Sequence, residues 1–229
     1  MEDIDAIAAL QDPVRRRLYE YVAAQGREVG RNEAAEAAGV ARTLAAHHLD
    51  RLTEAGLLES GSRRLTGRSG PGAGRPAKVY TRARTERSVS LPARDYRTAA
   101  ELLAEAAEEA GLDAGLRRAA HRRGSALRSA TTPCGDLDEA VAVLAARGYE
   151  PCLEDAEGAS ARVVRMRNCP FHTVAERFPP LVCGMNLALL EGLLGTDGPL
   201  RARMDARPGE CCVVVEDAGA GPDSKNNVD

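Results

Sequence analysis

No stretch of this sequence is both long and apolar enough to span a bilayer. The longest mostly apolar run, Leu181 to Leu194, is interrupted by Asn186 and Glu191 and falls short of the about 20 residues that a spanning helix needs. The first residues, Met1-Glu2-Asp3-Ile4-Asp5, are acidic and lead into an amphipathic segment, so they lack the pattern of a secretory signal. Together these absences predict a cytoplasmic protein. In that reducing compartment its six cysteines are expected to be free, redox-active or metal-bound rather than paired in structural disulfides. No internal repeat is present.

Acidic residues are missing from Ser60 to Ala77, a segment rich in Gly and Ser that contains Arg63, Arg64, Arg68 and Arg75. Its Gly70-Pro71-Gly72-Ala73-Gly74 resembles part of a phosphate-cradling loop, but no Gly-Lys-Ser/Thr element accompanies it, no strand leads into it and no helix follows. A basic loop of this kind neutralises DNA phosphates or enters a minor groove.

The flanking segments say what the loop belongs to. Asn32 to Val40 is predicted to be a short helix closed by Gly39, which can adopt the left-handed turn of a tight helix-to-helix corner. A second helix follows from Ala41 to Ala55. Its Ala45, Leu49 and Leu52 share one face and pack inward, so Arg42, Thr43, Ala46, His47 and Asp50 point outward. A small, polar outer face that opens with Arg and Thr suits side chains meeting base edges in the major groove. Leu57 to Glu59 and Lys78 to Arg82 are expected to be paired strands, which makes the basic loop a wing. The candidate DNA-binding residues are therefore Arg42, Thr43, Ala46, His47, Arg51, Arg63, Arg64, Arg68, Arg75 and Lys78. His48, on the inner edge of the helix, is expected to pack or to touch a phosphate.

Charge is distributed accordingly. From Ala41 to Arg87 there are 10 Lys or Arg against 4 Asp or Glu, a local +6, while the whole chain carries −3, leaving −9 on the rest. Double-stranded DNA is thus the expected partner of the N-terminal part alone.

A chain of 229 residues accommodates two modest domains. Before the helix pair, Ile4 to Leu10 and Pro13 to Gln25 are expected to be helices, the second with Pro in its first turn behind Asp12 as cap. After the wing and a linker around Pro92, helices are expected from Asp95 to Ala110 and from Leu112 to Ala130. In the first of them Ala99, Leu102, Leu103, Ala106 and Ala110 form an apolar stripe, which either packs on a neighbouring domain or forms a homodimer. His121, on the second of these helices, is expected to be structural.

From Leu137 onward the pattern alternates. It predicts a helix to Arg147, strands at Glu150 to Glu154 and Ala161 to Arg167, helices at His172 to Arg177 and Leu181 to Leu194, and strands at Leu200 to Asp205 and Cys211 to Glu216. The expected fold is α+β, mainly α. It comprises a winged helix-turn-helix over 1–87, a helical linker and dimerisation region over 88–130, an α+β cysteine-containing sensor domain over 131–217 and a disordered tail over 218–229.

Close C-x2-C pairs of the kind that build zinc knuckles are absent among Cys169, Cys183, Cys211 and Cys212, whose first two gaps are 13 and 27 residues. An iron-sulfur cluster is larger than one ion and takes ligands from separated loops. If Cys211 and Cys212 lie in a strand, their side chains face opposite sides, and one of them belongs to the core unless a bulge intervenes. A fourth ligand then falls to His172, to another residue or to an external molecule. His172 lies one helical turn from Cys169, and capping or packing is its alternative role. Cys134 and Cys152 are expected to be isolated thiols. A catalytic Cys169–His172 pair has neither an orienting acid nor an oxyanion site, so the chain is not expected to be an enzyme.

The runs His48-Leu49-Asp50-Arg51-Leu52, Ala55-Gly56-Leu57-Leu58-Glu59 and Gly74-Arg75-Pro76-Ala77-Lys78-Val79-Tyr80 resemble the ArsR/DeoR-type winged-helix regulators of bacteria. Asn168-Cys169-Pro170-Phe171-His172 and Leu181-Val182-Cys183-Gly184-Met185-Asn186 are similar to one branch of these, the SufR-like regulators. The resemblance runs from about Asp12 to Glu216. It implies a dimeric repressor of cluster-assembly genes. Cys169, Cys183 and one of Cys211 or Cys212 would hold an iron-sulfur cluster, of the four-iron type in preference to the two-iron type, with zinc less favoured. A cluster tying the 169, 183 and 211 segments together would fix the spacing of two recognition helices in a dimer, so the cluster-bound form is expected to hold its operator and the cluster-free form to release it. The alternative is a winged-helix regulator that senses a small organic effector, or that uses a thiol-disulfide switch, without a metal.

Overall fold

The computed structural model describes residues 2–63, 76–129, 134–155 and 162–219. The chain divides into two compact units, Met1–Arg94 and Asp95–Asp229. Helix and strand are mixed and 54% of the chain is helical, so helix predominates as expected.

In the first unit the order is α1 (Glu2–Ala8), a 3-10 turn, α2 (Pro13–Gln25), β1 (Val29–Gly30), α3 (Arg31–Ala38), α4 (Arg42–Glu54), β2 (Leu58–Arg63) and β3 (Ala77–Arg82). Asp12 caps α2 by accepting a hydrogen bond from the Arg15 backbone N–H at 2.9 Å, which satisfies one of the helix's orphan donors. Gly39 ends α3 at φ 64°, the left-handed conformation that turns the chain sharply into α4. Leu18, Val22, Ala34, Ala45, Leu49, Leu52 and Tyr80 close the core.

The strands form an antiparallel sheet in the order β1-β3-β2. Leu58 pairs with Arg82 and Arg63 with Ala77, so β2 extends four residues beyond the expected Leu57–Glu59 strand. Its outward side chains are short or polar and gave no alternating pattern. Strand β1 is two residues long, too short to show a period. Arg64, Arg68, Arg75 and the Gly70–Gly74 run lie outside the described residues.

The second unit contains α5 (Tyr96–Glu109), α6 (Asp113–Ser129), α7 (Leu137–Ala145), β4 (Pro151–Asp155), β5 (Arg162–Met166), α8 (His172–Arg177), α9 (Pro179–Leu194), β6 (Leu200–Met204) and β7 (Val213–Asp217). Its strands make an antiparallel sheet ordered β4-β5-β7-β6. Leu137, Ala140 and Leu144 of α7 and Leu190, Leu193 and Leu194 of α9 pack with Val164, Met166, Val213 and Val215 of the sheet.

Helix α9 is apolar all round because it is covered on more than one side. Away from the sheet it packs on α6 through two glycines. A Cβ on Gly124 would stand 2.1 Å from the Leu189 carbonyl oxygen, and one on Gly192 would stand 2.2 Å from that of His121. Only glycine permits backbones this close.

Helix α5 buries Ala104 against Phe178, Leu181 and Val182, and Arg177 pairs with its Glu101. The stripe containing Leu102 and Leu103 faces away from that contact, with those two leucines 60% and 72% exposed. Packing within the second unit therefore uses a different face of the helix.

Strand β7 begins at Val213, so the expected strand from Cys211 is corrected. Cys211 and Cys212 lie just before it, in a bend at Cys212. The strict alternation of strand side chains does not govern them. The expected tail from 218 falls, from 220 onward, outside the described residues.

Candidate functional site

Two places in the molecule concentrate chemistry. The first is the outer face of α4. Arg42, Thr43, His47 and Arg51 are exposed there, and Ala46 is half-buried. Arg42 has no carboxylate partner among the described residues, whereas Arg51 pairs with Glu54 at 2.9 Å. Leu44, which the helical pattern did not single out, is 42% exposed on the same helix.

His48 is buried, and Arg15 Nε donates to its Nδ1 at 3.4 Å. Burial holds its pKa below the ordinary histidine value, as expected where desolvation disfavours the charged ring. It is a packed side chain.

Asp50, expected on the outer face, instead anchors α4 to the sheet. It accepts hydrogen bonds from Lys78 Nζ at 2.8 Å, from Tyr80 Oη at 2.7 Å and from Arg31 Nη2 at 3.0 Å. Burial raises its pKa, and these donors more than offset that, leaving it below the ordinary aspartate value. Tyr80, raised to about 12 by burial and by Asp50, keeps its proton and remains a donor. Lys78 is thus engaged at the base of the wing, and Arg63 pairs with Glu28 at 3.3 Å. The tie among Arg31, Asp50 and Tyr80 was missed because its members lie 19 to 49 residues apart.

The second place is a cluster of thiols in the second unit. Cys169 follows β5, Cys183 lies in the second turn of α9, and Cys211 and Cys212 precede β7. The four side chains meet. The Cys169 and Cys212 thiols donate toward Cys211 Sγ, and Cys183 Sγ is within hydrogen-bond reach of Cys212. Cys183 also lies close enough to Cys169 to raise the cost of its ionisation.

Hydrogen bonds from Cys169 and Cys212 bring the Cys211 pKa well below that of a free thiol, against the opposing effect of its burial. The Val213 backbone N–H and Asn186 Nδ2, at 3.3 Å, act in the same direction. Cys169 and Cys212, as donors to Cys211 and partly buried, are raised. The arrangement stabilises one thiolate inside a set of four sulfurs.

Buried polar groups support this set. Asn186, fully buried, accepts from Tyr149 Oη at 2.5 Å while donating to Cys211. The Cys211 backbone N–H donates to Met166 O at 2.9 Å, and Cys212 O accepts from the Asp205 N–H at 2.8 Å. Asn168 Nδ2 donates to Gly148 O at 2.7 Å, fixing the turn just before Cys169. Asn186 showed in the sequence as a polar break in an apolar run, and Tyr149 gave no signal.

His172 is not brought to the thiols. It is exposed at the start of α8, with Nε2 3.2 Å from Glu176 Oε1. The helical turn that starts there faces its ring outward, which corrects its candidacy as a ligand. Cys134 is buried in the core, and Cys152 on β4 donates to the Arg165 carbonyl at 3.4 Å. Among the described residues, no three His, Cys, Asp or Glu are arranged as ligands of a single metal ion. The thiols instead make successive pairwise contacts, Cys169 to Cys211, Cys211 to Cys212, and Cys212 to Cys183.

Residues 10–61 match the helix-turn-helix domain family, a span that runs from the turn before α2 into β2. The first unit is therefore a helix-turn-helix domain, the kind of domain that binds double-stranded DNA in transcriptional regulators. No curated protein and no solved structure matches the chain. Among the described residues no helix is long and apolar enough to cross a membrane.

Proposed function

We propose that this protein is a dimeric transcriptional repressor whose hold on its operator is set by the state of the four-thiol centre. One observation carries the reading. A helix-turn-helix domain with an exposed Arg42, Thr43 and His47 face shares its chain with four cysteines from three segments that converge beside a buried Asn186 and Tyr149.

Base edges are read by Arg42, Thr43, Leu44 and His47 in the major groove, with Ala46 small enough for close approach. Phosphates are held by Arg51, Arg63 and the wing arginines Arg64, Arg68 and Arg75, while Lys78 works through Asp50 by fixing the base of the wing. The exposed Leu102 and Leu103 of α5 form the seam with a second copy, since two recognition helices are needed to read two half-sites.

The donor set fits an iron-sulfur cluster. It consists of sulfur alone, and successive contacts among four thiols suit ligands that attach to different metal atoms of one group. Cys169, Cys183, Cys211 and Cys212 would hold it. When bound it supplies a link among three chain segments that is sensitive to oxidants. The Asn186 side-chain N–H and the Val213 N–H, both donating to Cys211, stabilise that residue in the thiolate form a ligand needs. Freed from one another, the 169, 183 and 211 segments lose their common tie, the second unit becomes less fixed, and the spacing of the two recognition helices in the dimer matches the half-sites less well.

The test is anaerobic purification followed by iron and sulfide analysis and an absorption spectrum. Operators selected from randomised duplex DNA are then titrated with loaded and stripped protein. Iron-loaded protein that binds more tightly is the expected result. Colourless, iron-free protein overturns the cluster, and equal affinity of both forms overturns the switch.

A further inference from the structure

Within the second unit a cavity of about 790 Å³ is bounded by α6, α9 and the segment from Met204 to Cys212. Pockets that take small organic molecules span roughly 300–1,000 Å³, so one such molecule fits. The walls differ in character. Arg117, Arg118 and His121 line it from α6 against a single carboxylate, Glu191, while Leu187 and the prolines that open α9 make an apolar floor.

Cys183 and Cys212 both line this cavity, and their side chains lie within hydrogen-bond reach of each other. Gly184 has a part in this arrangement. A Cβ there would stand 2.8 Å from Arg117 Nε, so the missing side chain lets the guanidinium rest beside the residue that follows Cys183. Neither Arg117 nor Arg118 has a carboxylate partner among the described residues. Two unpaired guanidinium groups beside a thiol pair form a receptor for a carboxylate-bearing sulfur compound.

We propose that this cavity binds an anionic low-molecular-weight disulfide, which oxidises the Cys183–Cys212 pair when the thiols are reduced and free of metal. The Cys183 thiolate attacks one sulfur of the bound disulfide. A Cys183 mixed disulfide forms, the original sulfur–sulfur bond breaks, and the departing thiolate takes a proton to leave as a thiol. Cys212 then attacks Cys183 Sγ and passes its proton to the thiolate that leaves, closing a Cys183–Cys212 disulfide and releasing the second thiol. The protein gives up two electrons and the ligand takes both. The proposal goes beyond the reading above, since it requires neither DNA nor a cluster, and it adds a second input to the same cysteines.

The experiment uses the full chain, reduced and stripped of metal. It is exposed separately to glutathione disulfide, which is anionic, and to cystamine, which is cationic. Each rate is divided by that of a small free thiol with the same reagent, and the products are mapped by peptide mass spectrometry. The expected result is a first linkage between Cys183 and Cys212, with glutathione disulfide favoured by about 10-fold, the scale on which a charged cleft concentrates a counter-ion. Replacing both arginines (R117A with R118A) should remove that preference without slowing cystamine, and C212S should stop at the Cys183 mixed disulfide. Equal normalised rates for the two reagents in the unsubstituted protein, or a first linkage between Cys169 and Cys211, overturns the proposal. The comparison of reagents needs no variant. Because it follows thiol exchange alone, its failure leaves the results on iron loading and DNA binding untouched.

Discussion

Arg165 of β5, 0% exposed, holds Asp205 through Nη2 to Oδ2 at 2.8 Å and donates from Nη1 to the Asp205 carbonyl at 3.0 Å. Asp205 in turn donates its N–H to Cys212 O, so this buried cation sets the end of β6 and the approach to the thiols. Glu154 and Glu210 stand at 3.5 and 3.6 Å from its Nε. Replacement by alanine deprives three carboxylates of this shared cation, although Asp205 keeps Arg203 at 3.1 Å and Glu154 keeps Arg207 at 3.2 Å. Because each is nearly a third exposed, partial hydration limits the loss to about 2–3 kcal/mol, below the full cost of breaking a buried pair. Urea denaturation of R165A should show this loss, together with a lower yield of iron in anaerobic reconstitution.

Asp50 makes the first unit sensitive to acid. Burial raises its pKa, but Lys78, Tyr80 and Arg31 bring it below the usual value. A carboxyl with a lowered folded pKa adds stability above its unfolded value of about 3.9 and loses it as pH falls through the folded value. In D50N the acid limb of the stability–pH curve should flatten, and because the Asp50 side chain is 39% exposed, solvent screening holds the loss near neutrality to at most about 1 kcal/mol. Urea titrations across the acid range compare the two proteins, and parallel curves would show that Asp50 is not the titrating group.

The glycine contact between α6 and α9 gives an unambiguous steric prediction. G124A and G192A each push a methyl group into a carbonyl oxygen, and should cost about 1–3 kcal/mol. Gly115 is the internal control, because a Cβ there meets only Arg118 Nη2 at 3.9 Å. G115A should stabilise α6 by about 0.5–1 kcal/mol through backbone entropy. Thermal melts of the three variants give opposite signs.

On α4, R42A and H47A should behave differently from R51A. Loss of a base contact costs about 1–3 kcal/mol and relaxes sequence preference at one position. Loss of a phosphate contact weakens all sequences alike and lowers the salt slope by about 1. Anisotropy titrations against the selected duplex and a scrambled one, at several salt concentrations, separate the two classes.

Leu102 and Leu103, exposed side by side on α5, should set the oligomeric state. Charge introduced at both (L102E with L103E) is expected to give a monomer in sedimentation velocity while leaving the helix content unchanged, since both leucines are mostly exposed among the described residues. A dimer that survives the double change would place the seam elsewhere.

The long elements were written plainly in the sequence. Periodicity and caps gave α2 from Pro13 to Gln25 and α8 from His172 to Arg177 with the observed bounds, because Asp12, Pro13 and the apolar spacing all act locally. What escaped was non-local. Asp50 sits on the polar face of its helix, and only the fold brings Arg31, Lys78 and Tyr80 to it. The convergence of Cys169, Cys183, Cys211 and Cys212 was legible as residue types, but the apparent conflict over Cys211 and Cys212 came from starting β7 two residues early. His172 was misplaced by arguing from separation along the chain, since a single helical turn does not fix which way the first side chain points.

The two glycines between α6 and α9 also carry a mechanical consequence. With each backbone already pressed against the other at Gly124 and Gly192, the pair has no clearance for one helix to slide along its neighbour. Cys183, near the start of α9, therefore sits on a helix whose register against α6 is locked.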